Sequence, residues 1–132
     1  MVNKTIGNRF EAEFCEFLAR NKFWAHNMAQ TQAGQPADVI AVRNGTAYLI
    51  DCKVCENDRF RLSRIEENQE NSMTLWEMRG NTAGLFALKT STGVYMVTLG
   101  ELLAQRLMGA GSLNAEEIQT TCIPAEVWVM HA

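Results

Sequence analysis

Apolar residues at helical spacing open the sequence. From about Lys4 to Arg20 they recur every three or four positions, which predicts an amphipathic helix with its apolar side against a sheet. The stripe consists of Ile6, Phe10, Phe14, Phe17 and Leu18. Glu11 lies at the edge of this stripe, whereas Glu13 and Glu16 fall toward solvent. We therefore expect Glu11 to be the helix carboxylate that can reach the sheet.

A tight hairpin is the strongest local signal in the chain. Asn44 and Gly45 stand between two apolar runs. A two-residue type I′ turn needs a positive φ angle at both central positions, and Asn-Gly is the pair that best adopts it. The turn predicts two antiparallel strands over residues 38–43 and 46–54.

The rest of the chain alternates between strands and helices. The predicted elements are a first strand over 23–28, a polar loop over 29–35, a helix from about 62 to 79, a hairpin with strands 85–90 and 94–98, a helix from a capping box at Thr98 and Glu101 to about 108, a short helix over 114–119, and an edge strand or tail over 123–130. This order predicts one domain of the α/β class, a mixed sheet flanked by helices. We expect its core over about 4–108 and a C-terminal extension over about 109–132.

Continued outward from the turn, the hairpin register brings two carboxylates together. It places Asp38 opposite Asp51, with Cβ atoms roughly 4.5–5.5 Å apart, where like charges are destabilising unless something between them compensates. A divalent cation would do so. Lys53 lies two residues beyond Asp51 and hence on the same face, whereas Cys52 points to the opposite face. Two carboxylates and an amine on one face are the groups that metal-assisted hydrolysis of a phosphodiester requires.

One polar residue interrupts the apolar face of the second long helix. The stripe of this helix reads Leu62, Ile65, Gln69, Met73 and Trp76. A buried amide hydrogen-bonded to backbone is one explanation for Gln69. We favour the other, in which the helix packs over the hairpin and brings this amide toward Asp51 and Lys53.

Composition limits the class of protein. A chain of 132 residues that is 47% hydrophobic forms one globular domain and can bury about two-thirds of its unfolded surface. No apolar run approaches the roughly 20 residues of a membrane span and the N-terminus lacks a signal-peptide apolar region, so we expect a soluble, cytoplasmic protein. The four cysteines have no metal-site or disulfide spacing, which favours reduced thiols.

The net charge of −3 is unfavourable for a protein that binds nucleic acid, since a basic surface is the usual sign. The basic residues are unevenly spread, however, with one group after the hairpin and another on the first helix. The residues that we expect to contact DNA are Lys4, Arg9, Arg59, Arg61 and Arg64. Because four acidic residues between positions 56 and 67 interleave with the first group, a solvated surface of mixed charge is the alternative.

Three spaced elements follow one another in the first half of the chain. They are Gly7 with Glu11 on the first helix, Pro36-Ala37-Asp38 at the start of a strand, and Asp51-Cys52-Lys53 in the next strand. In this order they resemble the PD-(D/E)xK nuclease superfamily, which has the restriction-endonuclease-like fold. Residues 7–54 look most like the Holliday-junction resolvases of the archaeal Hjc type and the bacterial RecU type. Residues 65–69 and 84–88 are similar to the RecU pattern of a helix carrying isoleucine and glutamine followed by a strand.

The resemblance implies a magnesium-dependent, structure-specific endonuclease for branched DNA such as a Holliday junction. Asp38 and Asp51 would hold Mg²⁺, for which Mn²⁺ would substitute, with Glu11 as a ligand through water or at a second ion. The backbone carbonyl of Cys52 would be a further ligand. Lys53 would stabilise the developing negative charge or position the attacking water, supported by the amide of the second long helix, Gln69. Two cuts in a branched substrate require two-fold symmetry, so a homodimer is expected.

Two other functions stay open at this point. One is another nuclease of the same fold, such as a repair or nicking enzyme, or a nuclease subunit that needs a partner to recognise DNA. The other is a catalytically silent DNA-binding module, in which no ion offsets the charges of Asp38 and Asp51. Metal dependence separates the module from the enzymes, and substrate geometry separates the resolvase from other nucleases.

Overall fold

A mixed β-sheet of six strands lies between two layers of helices in the computed structural model, which describes residues 4–28 and 34–132. In chain order the elements are α1 (Lys4–Arg20), β1 (Trp24–Asn27), β2 (Val39–Arg43), β3 (Thr46–Val54), a 3₁₀ turn (Glu56–Asp58), β4 (Phe60–Arg61), a second 3₁₀ turn (Leu62–Arg64), α2 (Glu67–Met78), β5 (Leu85–Thr90), β6 (Gly93–Thr98), α3 (Leu99–Leu107), β7 (Ser112–Leu113), α4 (Ala115–Thr121), β8 (Ile123–Pro124) and α5 (Ala125–His131). The sheet has the order β1-β2-β3-β5-β6-β8, and β4 pairs with β7 in a separate ribbon. Only β3 and β5 are parallel neighbours in the described sheet. The predicted α/β class with a mixed sheet is confirmed.

The central hairpin forms with the predicted register. Both turn residues have positive φ angles, 53° at Asn44 and 79° at Gly45. The pairing of β2 with β3 extends from the turn to Val39 opposite Ile50. One residue further out, the Asp38 N–H still donates to the Ile50 carbonyl at 3.2 Å. The hairpin therefore carries the start of β2 toward the middle of β3.

The alternation of side chains along β3 assigns its residues to different layers. Ile50 and Cys52 pack with α1 and α5, and Leu49 packs with α2, α3 and α4. Asp51 and Lys53 follow Leu49 in steps of two, so they share its side of the sheet. The face with α2 is consequently the one that receives these polar groups.

A partly buried guanidinium joins the C-terminal helix to the hairpin. Arg43, the last residue of β2, donates to the carbonyls of Val129 and Ala132, each at 2.6 Å, and to that of Asn21 at 3.1 Å. Its guanidinium also lies 4.3 Å from the centre of the Phe23 ring. One side chain thus joins β2 to the ends of α1 and α5.

The second long helix begins later than predicted. Residues 62–66 are not helical in the α sense, and α2 starts only at Glu67. Phe60 pairs with Leu113 of β7, and Leu62 is buried beside this ribbon. The prediction took Leu62 and Ile65 as helix positions, because burial in a short non-α segment also produces apolar residues a few positions apart.

The C-terminal prediction was also partly wrong. Residues 123–130 were expected as an edge strand or tail, but only Ile123 and Pro124 form a strand, and α5 follows immediately. Ala125 and Val129, four residues apart, are buried against the α1 layer. Packing of this face against the α1 layer stabilises the helix, and the sequence pattern does not show that packing.

Other local predictions agree with the structure. The bounds of α1 are those predicted, the β5–β6 hairpin is present, and the Thr98 hydroxyl accepts from the Glu101 N–H at 3.1 Å as the first half of the predicted capping box. Residues 29–33 of the predicted polar loop lie outside the described residues. No helix in the described ranges is long and apolar enough to cross a bilayer. The four cysteines are free thiols.

Candidate active site

Carboxylates from three parts of the chain meet beside the central hairpin. Asp38 immediately precedes β2, Asp51 lies in β3, and Glu11 comes from α1. Beside them is a cavity of about 220 Å³. Its walls include Glu11, Gln35, Asp38, Lys53, Arg64 and Asn68. The hairpin and the two helices that cover it therefore converge on one polar opening.

Asp38 is buried with both carboxylate oxygens hydrogen-bonded. The Cys52 N–H donates to Oδ2 at 2.8 Å, and the Gln35 side-chain amide donates to Oδ1 at 3.0 Å. The bond from Cys52 follows from the hairpin register, because the register places Asp38, just before β2, beside Cys52 of β3. Each carboxylate oxygen keeps a further lone pair, so the two bonds orient Asp38 without using up its capacity to bind a cation.

Asp51 is completely buried. Gln69 Nε2 donates to its Oδ1 at 2.9 Å, and Lys53 Nζ lies 3.1 Å from its Oδ2. That ion pair lacks the angles of a hydrogen bond, and Oδ2 has no hydrogen-bond partner among the described residues. Burial raises the pKa of Asp51 well above its usual value; Lys53 lowers it and Asp38 raises it further. The predicted closeness of Asp38 and Asp51 is therefore present and electrostatically unfavourable.

Lys53 provides the cation of the group. Its side chain is 11% exposed, and its Nζ lies 3.8 Å from a carboxylate oxygen of Glu66 as well as close to Asp51. Two carboxyl groups, one buried and one exposed, thus hold the ammonium at the wall of the cavity. An ammonium held in this way can donate to an anionic group that enters the cavity.

Glu11 reaches the site from the other layer. Its pKa is raised from 4.5 to about 7, mainly by burial and then by Asp38, whereas a hydrogen bond from Asn27 and the charge of Lys53 lower it. The predicted position at the edge of the apolar stripe of α1 accounts for this, because the carboxylate is half-buried at the rim of the sheet. Near neutral pH it can both give and take a proton.

Gln69 fits both explanations considered for it, a hydrogen bond to backbone and a contact with Asp51. As the third residue of α2, its Oε1 accepts from the Glu66 N–H at 3.4 Å in a capping box, while its Nε2 donates to Asp51. The buried amide therefore satisfies helix backbone with one end and a site carboxylate with the other. The structure brings Gln69 to the site as predicted.

Comparison with known proteins identifies the family. The sequence matches the family model for the archaeal Holliday junction resolvase Hjc over residues 2–120. The chain belongs to the Hjc family. Among solved structures, the Hjc Holliday junction resolvase of the archaeal hyperthermophile Archaeoglobus fulgidus superposes with a TM-score of 0.73 at 16% sequence identity, covering 93% of this chain and 99% of that one. A search of curated proteins gave no match. The predicted nuclease superfamily and the enzyme class, a structure-specific endonuclease, are confirmed.

Members of the Hjc family act with divalent metal ions, and the donor set of this chain fits a hard cation. No three histidine, cysteine or acidic side chains lie in a metal-binding arrangement within residues 4–28 and 34–132. Mg²⁺ does not need three, since it keeps several waters and takes only one or two carboxylates. Asp38 and Asp51 supply those carboxylates, and the buried Oδ2 of Asp51 has an acceptor site to offer. The Cys52 thiol faces the apolar layer, so only its backbone can take part.

The predicted DNA contacts are distributed over three parts of the surface. Arg64 lines the cavity of the active site and donates to the Val54 carbonyl at 2.7 Å. Arg59 and Arg61 line a different, shallower depression of about 360 Å³ beside the β4–β7 ribbon. Arg9 is exposed on α1, and the side chain of Lys4 lies outside the described part of the chain. Of these five residues, the structure brings Arg64 alone to the wall of the described cavity.

Sequence reasoning missed three residues that contact the site. Gln35 bonds to Asp38, Glu66 lies near Lys53, and Asn68 bonds to the backbone of Gln35. Glu66 and Asn68 lie at the start of α2, close to Gln69, which the sequence analysis had identified as a site residue. The capping-box pattern of Glu66 with Gln69 was a signal that could have located the helix start, and with it the cluster.

Proposed function

We propose that this Hjc-family chain cuts Holliday junctions and related branched DNA as a Mg²⁺-dependent homodimer. The observation that carries the proposal is the buried pair of Asp38 and Asp51 with Lys53 beside it. Two buried carboxylates that oppose each other are costly without a cation, and the amine at 3.1 Å reaches only one of them. The cytoplasm stays the expected location.

In the proposed mechanism, Asp38 and Asp51 would hold the ion, and the backbone carbonyl of Cys52 would be a further ligand. When bound, the ion polarises the scissile phosphate and makes water a better nucleophile near neutral pH. Gln69 keeps Asp51 in the orientation that binding requires, through its bond of 2.9 Å.

Lys53 and Glu11 then serve the reacting groups. Lys53 donates to the phosphate as negative charge develops, or to the attacking water. Glu11, half-buried near Asp38, would accept a proton from water or hold the ion through water. The half-enclosed cavity strengthens both interactions because it limits the access of bulk solvent.

The test is cleavage of labelled four-way junction, flap, duplex and single-stranded DNA, each with Mg²⁺, Mn²⁺ or chelator. We expect the wild type to cut the junction in preference to the other substrates, and only with metal. Equal cutting of all four would contradict the resolvase proposal and leave another nuclease of this fold. Cutting in chelator would contradict the metal proposal.

The Asp51→Asn variant tests the site itself. It keeps the shape of the side chain and removes a ligand charge, so cleavage should fall by about a thousandfold, a loss of several kcal/mol of transition-state stabilisation. Because a buried carboxylate is costly without metal, the metal-free variant should unfold at the same temperature as the wild type or a higher one. Glu67→Gln, an exposed change on α2, is the control and should cut normally. Equal rates for wild type and Asp51→Asn would place the chemistry elsewhere.

Two observations support a homodimer. Paired cuts across a branched junction need two sites related by a two-fold axis. In addition, large apolar side chains stay exposed on the single chain, among them Leu107, Met108 and Met78 at 89%, 83% and 71%. Exposed apolar groups of this size are available for a subunit interface. Light scattering after gel filtration should give about twice the chain mass of 14.8 kDa; a monomeric mass together with paired cuts would contradict the dimer.

A further inference from the structure

Gln35 lies directly before the aspartate pair and has unequal bonding at its two amide atoms. The side chain is buried, with 8% of the residue exposed, and lines the cavity. Its Nε2 donates to Asp38 Oδ1 at 3.0 Å. Its Oε1 is buried and has no hydrogen-bond partner among the described residues. A buried amide oxygen in this state is destabilising, so its retention calls for a reason.

The first turn of α2 holds Gln35 in position. Asn68 Nδ2 donates to the backbone carbonyl of Gln35 at 3.1 Å. The preceding Gly34 has a φ of +81°, and a Cβ atom there would lie 2.7 Å from the same Asn68 nitrogen. The backbone of these two residues therefore fits closely against Asn68. The next helix residue, Gln69, bonds to Asp51, so one turn of α2 acts on both carboxylates.

The chemistry of the unpaired oxygen limits what can bind to it. An amide oxygen only accepts hydrogen bonds, and the oxygens of a phosphodiester also only accept. The group that satisfies Oε1 must therefore be a hydrogen-bond donor or a cation. A DNA phosphate is therefore excluded as the partner of Oε1, and the role of Gln35 in the site lies in the orientation of Asp38 by its Nε2.

We propose that Gln35 is a positioning residue, which orients Asp38 for metal binding through its Nε2, and that Asn68 fixes Gln35 in place. The inference rests on the proposed function, because it takes Asp38 as one of the two metal-binding carboxylates. Asn68 acts only through Gln35 in this arrangement. The roles of both residues are separate from DNA binding.

The experiment compares Gln35→Met and Asn68→Ala with the wild type. Gln35→Met keeps the length of the side chain and removes both polar atoms. Two matched controls are Gln119→Met on α4 and Asn71→Ala, an exposed amide on the same helix as Asn68. The readouts are the Mn²⁺ dissociation constant from electron paramagnetic resonance of the DNA-free protein, the single-turnover rate of junction cleavage, and the junction dissociation constant in chelator.

We expect Gln35→Met to weaken Mn²⁺ binding by about tenfold and to slow single-turnover cleavage by at least as much, since residues that orient metal ligands have effects of this size. Junction binding should stay within about twofold, because no phosphate contact is removed. Asn68→Ala should change the same two readouts in the same direction, and excess Mn²⁺ should partly restore its rate. The double variant should be no worse than Gln35→Met alone, because both changes act on one interaction.

Several results would overturn the inference. Unchanged Mn²⁺ affinity and rate in Gln35→Met would leave Gln35 without a role in the site. If Asn68→Ala added its full effect to that of Gln35→Met, the two residues would act independently. A loss of Mn²⁺ affinity equal to that of the Asn71→Ala control would mean only general damage to α2. A wild type that neither binds Mn²⁺ nor cuts would instead refute the proposed function, so the two failures are distinguishable.

Discussion

Two aspartates of this chain have pKa values displaced in opposite directions. Asp51 is buried beside another carboxylate, and burial raises its pKa well above the usual value. Asp58 is held by both the hydroxyl and the N–H of Ser91, and these hydrogen bonds lower its pKa. The residue type is the same, so the environment decides. A raised pKa means that the metal-free site favours a proton where the working enzyme would hold a cation.

Glu11 should make the metal-free protein less stable as the pH rises toward neutral. Its folded-state pKa is about 7 against an ordinary 4.5, so the folded protein binds this proton more tightly than the unfolded chain does. The contribution is present below about pH 4.5 and is lost as the pH rises through about 7. Glu11→Gln cannot ionise and should lack this fall.

Urea unfolding in chelator at several pH values between about 5 and 8 measures the effect. The free energy of unfolding of the wild type, relative to Glu11→Gln, should decline across this interval. Glu16→Gln, an exposed change on the same helix, should follow the wild type. Parallel curves for wild type and Glu11→Gln would contradict the raised pKa.

At the scale of single elements, the start of α2 and the central hairpin organise the site. The hairpin sets Asp38 against β3, and α2 contributes Gln69 and Asn68 from its first turn. The first turn of a helix is where backbone N–H groups lack intrahelical partners, so side chains there are engaged in capping. In this chain, side chains of the same turn also bond to Asp51 and to the backbone of Gln35, and helix capping is therefore coupled to the site.

Gln69→Met should separate capping from the bond to Asp51. The variant loses the third residue of the capping box and the donor to Asp51 Oδ1. Glu101→Met is the matched control, because it removes the same position of the capping box of α3 without touching the site. Loss of a capping interaction alone should cost about 1 kcal/mol.

Gln69→Met should cost about 1–3 kcal/mol more than Glu101→Met, since it also leaves a buried carboxylate oxygen without its donor. Thermal and urea unfolding would give both values. Equal destabilisation by the two changes would mean that the bond to Asp51 contributes little. Cleavage should fall in Gln69→Met only.

The turn of the central hairpin offers a second test at this scale. Gly45 has a φ of +79°, and its lack of a side chain is needed there for conformation rather than space, since a Cβ added at this position would have nothing within 4 Å. Gly45→Ala should therefore destabilise by about 1–2 kcal/mol. Gly7→Ala is the contrasting change, because Gly7 lies inside α1, and it should stabilise by about 0.5–1 kcal/mol. The same sign for both variants in urea unfolding would contradict this assignment.

For the whole molecule, the distribution of charge matters more than its sum. The chain carries a net charge of −3, yet Arg59 and Arg61 are exposed beside a groove, and Lys53 and Arg64 line the active-site cavity. Three of the carboxylates, those of Glu11, Asp38 and Asp51, lie at the site, where a bound cation would offset their charge. Local basic surfaces can thus coexist with an acidic total.

Junction binding should consequently depend on salt through these arginines. A plot of the logarithm of the association constant against that of the salt concentration, measured by anisotropy in chelator, should lose about one unit of slope for each phosphate contact removed. Arg59→Gln and Arg61→Gln should each show this loss. Arg79→Gln, exposed at the end of α2, is the control and should keep the wild-type slope. An unchanged slope in Arg59→Gln and Arg61→Gln would exclude the depression beside the β4–β7 ribbon from the DNA-binding surface.

Local rules were enough for a large part of this fold. The Asn44-Gly45 turn determined the register of β2 and β3, because a two-residue turn leaves one pairing and the period of a strand then assigns every side chain to a face. That is how Asp38, Asp51 and Lys53 could be placed together from the sequence. The helical stripe of α1 likewise placed Glu11 at the rim of the sheet.

Tertiary structure decided the contacts and the burial that local rules do not specify. Gln35 and Asn68 are 33 residues apart and meet only because α2 packs over the hairpin. The late start of α2 and the helix at 125–131 depend on which layer covers each apolar residue, and a sequence pattern shows that a residue is apolar but not what buries it. The complete burial of Asp51 belongs here too, since solvent is excluded by several elements at once. Turn geometry and strand period act over a few residues and are written in the sequence, whereas burial and long-range hydrogen bonds exist only after the layers have packed.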